Sequence, residues 1–285
     1  MEEQIMEMPL ENLHKKLFET LCFLDRVCRE QGLAYYLAYG SLLGAVRHQG
    51  FIPWDDDVDV WMPRDDFMKL LEYLRLHNTD ERFVLNEGKY KPKGDRPSEF
   101  QIRVLDTQTK ISRQYAGTRI EAYLWIDIFA LDQVPAAKKG QYLKKFKREL
   151  LMYKIARCKN FLIVDNSMFG KVNKAIYVLH NKFGMFKNCL KEEKHQASVV
   201  KALTRYQTSS AAKDMEYFSY AAVYLGKPEK CFFKKEWFSK PVELQFDGKS
   251  FYSPENWDAI LKTLYNDYMK LPPEHEKYSH SVKEA

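Results

Sequence analysis

Phe51-Ile-Pro-Trp-Asp-Asp-Asp-Val-Asp-Val-Trp-Met-Pro63 places four aspartates among the five residues 55–59. Asp57-Val-Asp-Val-Trp-Met62 alternates as a strand does and stops at Pro63. On a strand, Asp55, Asp57 and Asp59 share one face. Neighbours on that face stand about 7 Å apart and repel by roughly 2 kcal/mol per pair at an effective dielectric of about 20. A fold seldom tolerates this without a compensating charge, and oxygen ligands in this number suit Mg2+ or Mn2+ rather than zinc. A solvated acidic turn is the plain alternative. A calcium loop fits poorly, because Val60 stands where that loop needs glycine and Pro63 falls inside it.

Upstream, residues 10–31 carry Leu13, Leu17, Leu21, Leu24 and Cys28 at helical spacing, with Gly32 as the stop. Leu33–Tyr39 reads as a buried strand, Gly40-Ser41 breaks it, and Leu42–His48 reads as a short helix ended near Gly50. Glycine lets a phosphate approach the backbone, and exposed N–H groups at a helix start attract anions. Strand, Gly-Ser, short helix, then Asp-x-Asp describes a site that grips a nucleoside diphosphate while a metal neutralises developing charge.

Downstream, Arg64–Leu76 reads as a helix, and residues 100–106 and 120–131 as strands. Tyr123-Leu-Trp-Ile-Asp-Ile-Phe-Ala-Leu131 holds a single charge, Asp127, in an apolar run. A buried carboxylate needs a partner. Two stay open: an ion pair with an arginine such as Arg103, or a place beside Asp57 and Asp59 as third carboxylate of a metal site, with general base as a second role. Lys138–Arg157 reads as a basic helix, and the chain through Ala212 as mostly helical. Residues 243–252 read as a hairpin around Asp247-Gly248, and Asn256–Lys270 as a helix closed by Leu271-Pro-Pro. The organisation expected is one catalytic domain over 1–285: an α/β core at 10–135, a helical insertion at 136–212, and a segment at 213–285 that packs back on the core.

The 285 residues are 45% hydrophobic and 29% charged, an ordinary folded composition that excludes disorder. No run of 18 apolar residues exists, and the acidic N-terminus lacks a secretory apolar stretch. The five cysteines form no CxxC pair, which points to a reducing compartment and a cytoplasmic protein. A net charge of +6 without a recognition motif argues against nucleic acid. Six Lys or Arg fall within residues 138–150. Residues 138–157 are therefore either a solvated face or a contact with anionic lipid at the inner face of the membrane.

Leu37-Ala-Tyr-Gly-Ser-Leu-Leu-Gly-Ala-Val-Arg-His-Gln-Gly-Phe-Ile-Pro-Trp-Asp-Asp-Asp-Val-Asp59 closely resembles the LicD family of the nucleotidyltransferase superfamily. Trp125-Ile-Asp-Ile-Phe-Ala-Leu-Asp132 resembles its second block, and Tyr265-Asn-Asp-Tyr-Met-Lys-Leu-Pro-Pro273 with His280 its C-terminal block. The resemblance implies an α+β (α/β) fold: a nucleotidyltransferase-like mixed sheet with flanking helices, here with a helical insertion. It implies transfer of phosphocholine from CDP-choline to a sugar hydroxyl of a surface glycan (teichoic acid or lipopolysaccharide) or its lipid-linked precursor, with CMP leaving. Ribitol or glycerol phosphate donors are the near alternatives, and an idle ligand-binding module the distant one.

By that resemblance Asp57 and Asp59 hold Mg2+ or Mn2+, and Asp127 is the third carboxylate. Gly40 and Ser41 contact donor phosphates, with Arg47, His48 and Arg103 as further phosphate or substrate contacts. Asp55, Lys270 and His280 are accessory. Asn266 stands where the family commonly has glycine, and no cysteine pair corresponds to the zinc site of fukutin-related members. The 14% aromatic content suggests that Tyr39, Trp54, Trp61 and Trp125 cage a choline cation, with core packing as the alternative for most rings.

Overall fold

Leu13, Leu17, Leu21 and Leu24 are buried along one side of the first helix, Leu10–Glu30 (α1). A computed structural model of the chain describes residues 8–90, 99–115, 118–158, 168–183, 191–208, 214–223, 228–277 and 283–284. Helix α1 ends before Gly32, whose φ of +63° suits a residue without a side chain. The segment expected to form a strand over 33–39 pairs only through Tyr36–Leu37 (β1).

The next helix, Tyr39–His48 (α2), begins two residues before Gly40-Ser41 ends, so both lie inside its first turn and not ahead of it. Asp59–Pro63 (β2) starts two residues later than the alternation suggested. Arg64–Leu76 (α3) follows at once, as its sequence indicates.

The remaining strands are Phe83–Leu85 (β3), Gln101–Tyr115 (β4) and Thr118–Pro135 (β5). Helices Lys139–Cys158 (α4), Met168–Phe183 (α5) and Glu192–Leu203 (α6) come next. Met215–Ser219 (β6), Phe232–Lys234 (β7), the hairpin Pro241–Phe246 (β8) with Lys249–Pro254 (β9), Trp257–Tyr265 (α7) and Lys283–Glu284 (β10) complete the order.

Among the described residues, eight strands form a mixed sheet along β1-β2-β5-β4-β10. Strand β3 pairs with β4, and β6 joins β5 to β7. The pair β2–β5 is parallel and the others antiparallel. The 18-residue β5 organises the sheet, meeting β4 along most of its length, β2 through Asp127–Leu131 and β6 at its end. This is the mixed α+β architecture expected.

The main core lies between α1, the sheet and the β8–β9 hairpin, where Phe246 and Phe251 are fully buried. Asp247 and Gly248 both have positive φ, the condition for a two-residue hairpin turn. A second cluster gathers Tyr142, Phe146, Leu150 and Tyr153 of α4 with Val199 and Leu203 of α6 and Phe218 of β6. Helix α7 stops at Tyr265, short of the expected Lys270, because Asn266 turns to φ +61° and ψ −108°. Glycine reaches that conformation at least cost, which accounts for the residue type common there in the resemblance. No helix among the described residues is long and apolar enough to cross a membrane.

Candidate active site

Two hydrogen bonds fasten the start of α2 to the first residue of β2. The Ala38 N–H donates to the Asp59 carbonyl at 3.0 Å, and the Asp59 N–H donates to Ser41 Oγ at 2.9 Å. Helix bonding in α2 begins with Leu42 N–H to the Ala38 carbonyl, so the N–H groups before Leu42 lie at the helix's electropositive end. Gly40 leaves room for a carboxylate here: a Cβ on it would lie 2.5 Å from Asp55 Oδ2 and displace it. The Asp55 carboxylate thus rests against the first turn of α2. Tyr39, at the head of that turn, is held at a φ of +44°, a conformation that costs of order 1 kcal/mol and that its burial enforces.

The stretch 55–58 precedes the strand yet keeps a two-residue rhythm. Asp55, Asp57 and Asp59 are partly exposed, while Asp56, Val58 and Val60 are buried. Asp55, Asp56 and Asp57 each bring a carboxylate oxygen within 4.8 Å of the others. The loop is pinned from both sides. The Asp55 N–H donates to the Ile52 carbonyl at 2.9 Å, and His14 Nε2 donates to the Asp55 carbonyl at 2.7 Å. The His14 ring stacks on Phe51 with centroids 4.1 Å apart.

Asp127 is the register partner of Asp59 on parallel β5 and of Arg103 on antiparallel β4. Side chains at paired positions leave the same face of a sheet, so two carboxylates and a guanidinium form one row. Arg103 Nε donates to Asp127 Oδ1 at 2.7 Å, Gln101 donates to the same oxygen, and Trp125 Nε1 donates to Oδ2 at 3.1 Å. Both partners considered for Asp127 are therefore present, an ion pair with Arg103 and an adjacent Asp59. Three donors fix the carboxylate and leave further lone pairs on Oδ2.

Arg47 and His48 close the opposite end of α2. Arg47 Nε donates to His48 Nε2 at 2.9 Å, and Arg47 Nη1 donates to the Tyr268 carbonyl at 3.0 Å. Burial and then the adjacent guanidinium lower the His48 pKa, favouring the neutral ring that accepts this bond. Tyr265 carries the C-terminal segment to the acidic loop. Burial of its hydroxyl, followed by the charges of Asp59, Asp55 and Asp57, raises its pKa, although part of the ring stays exposed.

The expected choline cage is corrected at two of its four rings. Trp61 is 0% exposed and Tyr39 5%. They pack together with centroids 4.7 Å apart, and both donate to Ser219 Oγ. Their apolar surface belongs to the core, which leaves no face for a ligand. Trp125 carries the Arg103 guanidinium 4.5 Å from its ring centre, and Trp54 carries Lys277 Nζ at 5.0 Å. Lys270 is exposed in the turn after α7, and His280 lies outside the described residues.

The sequence motifs give no role to Gln101, His14, Asp56 or Tyr265. Gln101 sits two residues from Arg103, a signal legible once that strand's face is known. His14 lies 41 residues from Asp55, and no local pattern connects them.

A mixed sheet bearing this carboxylate row beside a helix start is the arrangement of a nucleotidyltransferase domain. Residues 32–129 match the family described as LicD/FKTN/FKRP, nucleotidyltransferase domain. The chain is thus similar to that family through this domain. It is 28% identical over 271 residues to the lipopolysaccharide cholinephosphotransferase LicD of Haemophilus influenzae, covering 93% of each chain. It is also 44% identical over 52 residues to the ribitol 5-phosphate transferase FKRP of Homo sapiens, covering 18% of this chain and 10% of that protein.

Proposed function

We propose that this protein transfers a phospho-alcohol from a CDP-linked donor to a glycan hydroxyl, releasing CMP, with phosphocholine as the leading group and lipopolysaccharide, teichoic acid or a lipid-linked precursor as acceptor. The observation that carries the reading is likeness along 93% of the chain to a lipopolysaccharide cholinephosphotransferase. The row Asp59–Asp127–Arg103 beside the start of α2 gives that likeness a chemical site.

Clustered carboxylate oxygens on Asp55, Asp56 and Asp57 suit a hard divalent cation such as Mg2+ or Mn2+. Asp57 and Asp59 would hold it, with Asp55 beside them, and the bound ion would supply charge neutralisation for the donor's phosphates. The chain's own groups do the remaining work. Gly40 and the N–H groups of the first turn of α2 receive phosphate oxygens. Ser41, tied to Asp59, keeps that turn in register with the carboxylates. Asp127, oriented by Arg103, Gln101 and Trp125, accepts the proton of the attacking hydroxyl.

A ribitol phosphate donor is the second reading, favoured by the FKRP likeness and by the burial of Tyr39 and Trp61, which removes half of the expected cation cage. Purified protein is incubated with Mg2+, a glycan acceptor and, in turn, CDP-choline, CDP-ribitol and CDP-glycerol, and CMP is measured. CMP release with one donor, lost with EDTA and lowered at least about 100-fold in Asp57→Asn or Asp59→Asn, is the expected result. Undiminished turnover in both variants would overturn the assignment.

A further inference from the structure

Helix α5 buries an amide and exposes two valines. Asn173 is 1% exposed and bonds the Cys158 thiol of α4, while Val172 and Val178 are 45% and 36% exposed. A globular helix ordinarily turns its amide outward and its valines inward. Lys171, Lys174, Val178 and Lys182 recur at three-, four- and four-residue steps, which aligns them on one face. Val172 and Ala175 border that face, and all six residues are exposed. The helix contains no Asp or Glu, and no carboxylate among the described residues pairs with its three lysines.

The basic run on α4 is different. Lys139 pairs with Glu216, Lys145 and Arg148 pair with Glu149, and Arg157 pairs with Glu192. Half of the Lys and Arg side chains of residues 138–157 are thus paired within the fold. On α5 the exposed lysines stand beside exposed valines, with no acidic residue on the helix.

We infer that α5 is a docking face for an anionic lipid bilayer, with Lys171, Lys174 and Lys182 meeting lipid phosphates while Val172 and Val178 enter the boundary beneath them. A helix lying in the interface needs this combination of lysines and protruding apolar groups. A nucleic acid would use the lysines and gain nothing from the valines. The inference holds whichever phospho-alcohol is transferred, and it places the proposed catalytic site at the surface where a lipid-linked acceptor would be.

The full-length protein is sedimented with vesicles of phosphatidylcholine alone and with vesicles containing phosphatidylglycerol. Binding is expected only to the anionic vesicles and is expected to weaken with salt. Lys171→Gln/Lys174→Gln/Lys182→Gln is expected to lower partitioning on the order of 100-fold, and Val172→Ser/Val178→Ser several-fold. Both variants should keep wild-type melting and wild-type CMP release with a soluble acceptor, which separates failure of docking from failure of the proposed transfer. Three outcomes would overturn the inference: no binding to anionic vesicles at low salt, binding that survives both α5 variants, or binding to duplex DNA of equal strength that the valine substitutions leave unchanged.

Discussion

Asp59 on β2 and Asp127 on β5 are register partners of the parallel strand pair, so their carboxylates emerge side by side from one face of the sheet. Arg103, the partner of Asp127 on the other side, is the cation that makes the pair tolerable in this structure. Arg103→Met removes that cation and leaves adjacent like charges. The variant is expected to lose about 2–4 kcal/mol in urea unfolding without divalent ions. Added Mg2+ should restore more stability to it than to the wild type. Equal gains in the two proteins would show that the row does not share its charge with a metal.

Two glycines of α2 give a contrasting pair. A Cβ at Gly40 meets the end of the Asp55 side chain, whereas a Cβ at Gly44 would lie 2.4 Å from the Gly50 backbone carbonyl oxygen. Side-chain ends move cheaply and packed backbone does not. Gly40→Ala is expected to cost about 1 kcal/mol or less of stability while cutting turnover at least tenfold, because it displaces Asp55. Gly44→Ala is expected to cost roughly 2–3 kcal/mol. Urea melts and CMP release measured on both variants test the split.

Arg64 and Asp132 form a bidentate pair, with both nitrogen–oxygen distances at 2.8 Å and both side chains buried. Arg64 also donates to the Glu99 carbonyl at 2.8 Å, which ties the start of α3 to the chain entering β4. Arg64→Met leaves a buried carboxylate without its charge partner and should destabilise by about 3–5 kcal/mol. Arg64→Met/Asp132→Leu should recover most of that loss in the same melt.

Asp25 tests stability against pH. Burial raises its pKa, but bonds from Tyr35 at 2.5 Å, Lys249 at 2.9 Å and Arg29 at 2.6 Å outweigh burial, and the net shift is downward. A depressed carboxylate contributes stability that is full above its ordinary pKa of about 4 and lost as pH falls through its lower folded value. Asp25→Asn is therefore expected to be less stable than wild type at pH 7, with the gap closing below about pH 4. A gap that stays constant down to pH 2 would assign the effect to packing instead of charge.

Much of this protein was legible in its residues. The leucine spacing of α1, the Asp247-Gly248 hairpin, the start of α3 at Arg64 and the family wording of 37–59 are local patterns, set by helix period, turn geometry and short motifs. So was the alternation of Asp55, Asp57 and Asp59, which survives as alternating burial although the strand itself begins only at Asp59.

Which groups meet was decided elsewhere. That Asp59 faces Asp127 depends on strand register across a separation of 68 positions, and that His14 holds the Asp55 carbonyl depends on where α1 packs. Trp61 and Tyr39 look like ligand rings in sequence because aromatic residues look alike on either side of a sheet; only packing put them in the core. The basic run of α4 likewise carried a surface charge in sequence that Glu216, Glu149 and Glu192 partly offset in space. Period and propensity act over a few residues and can be read along the chain. Register, charge pairing and burial are relations between distant segments, and they exist only once the chain has folded.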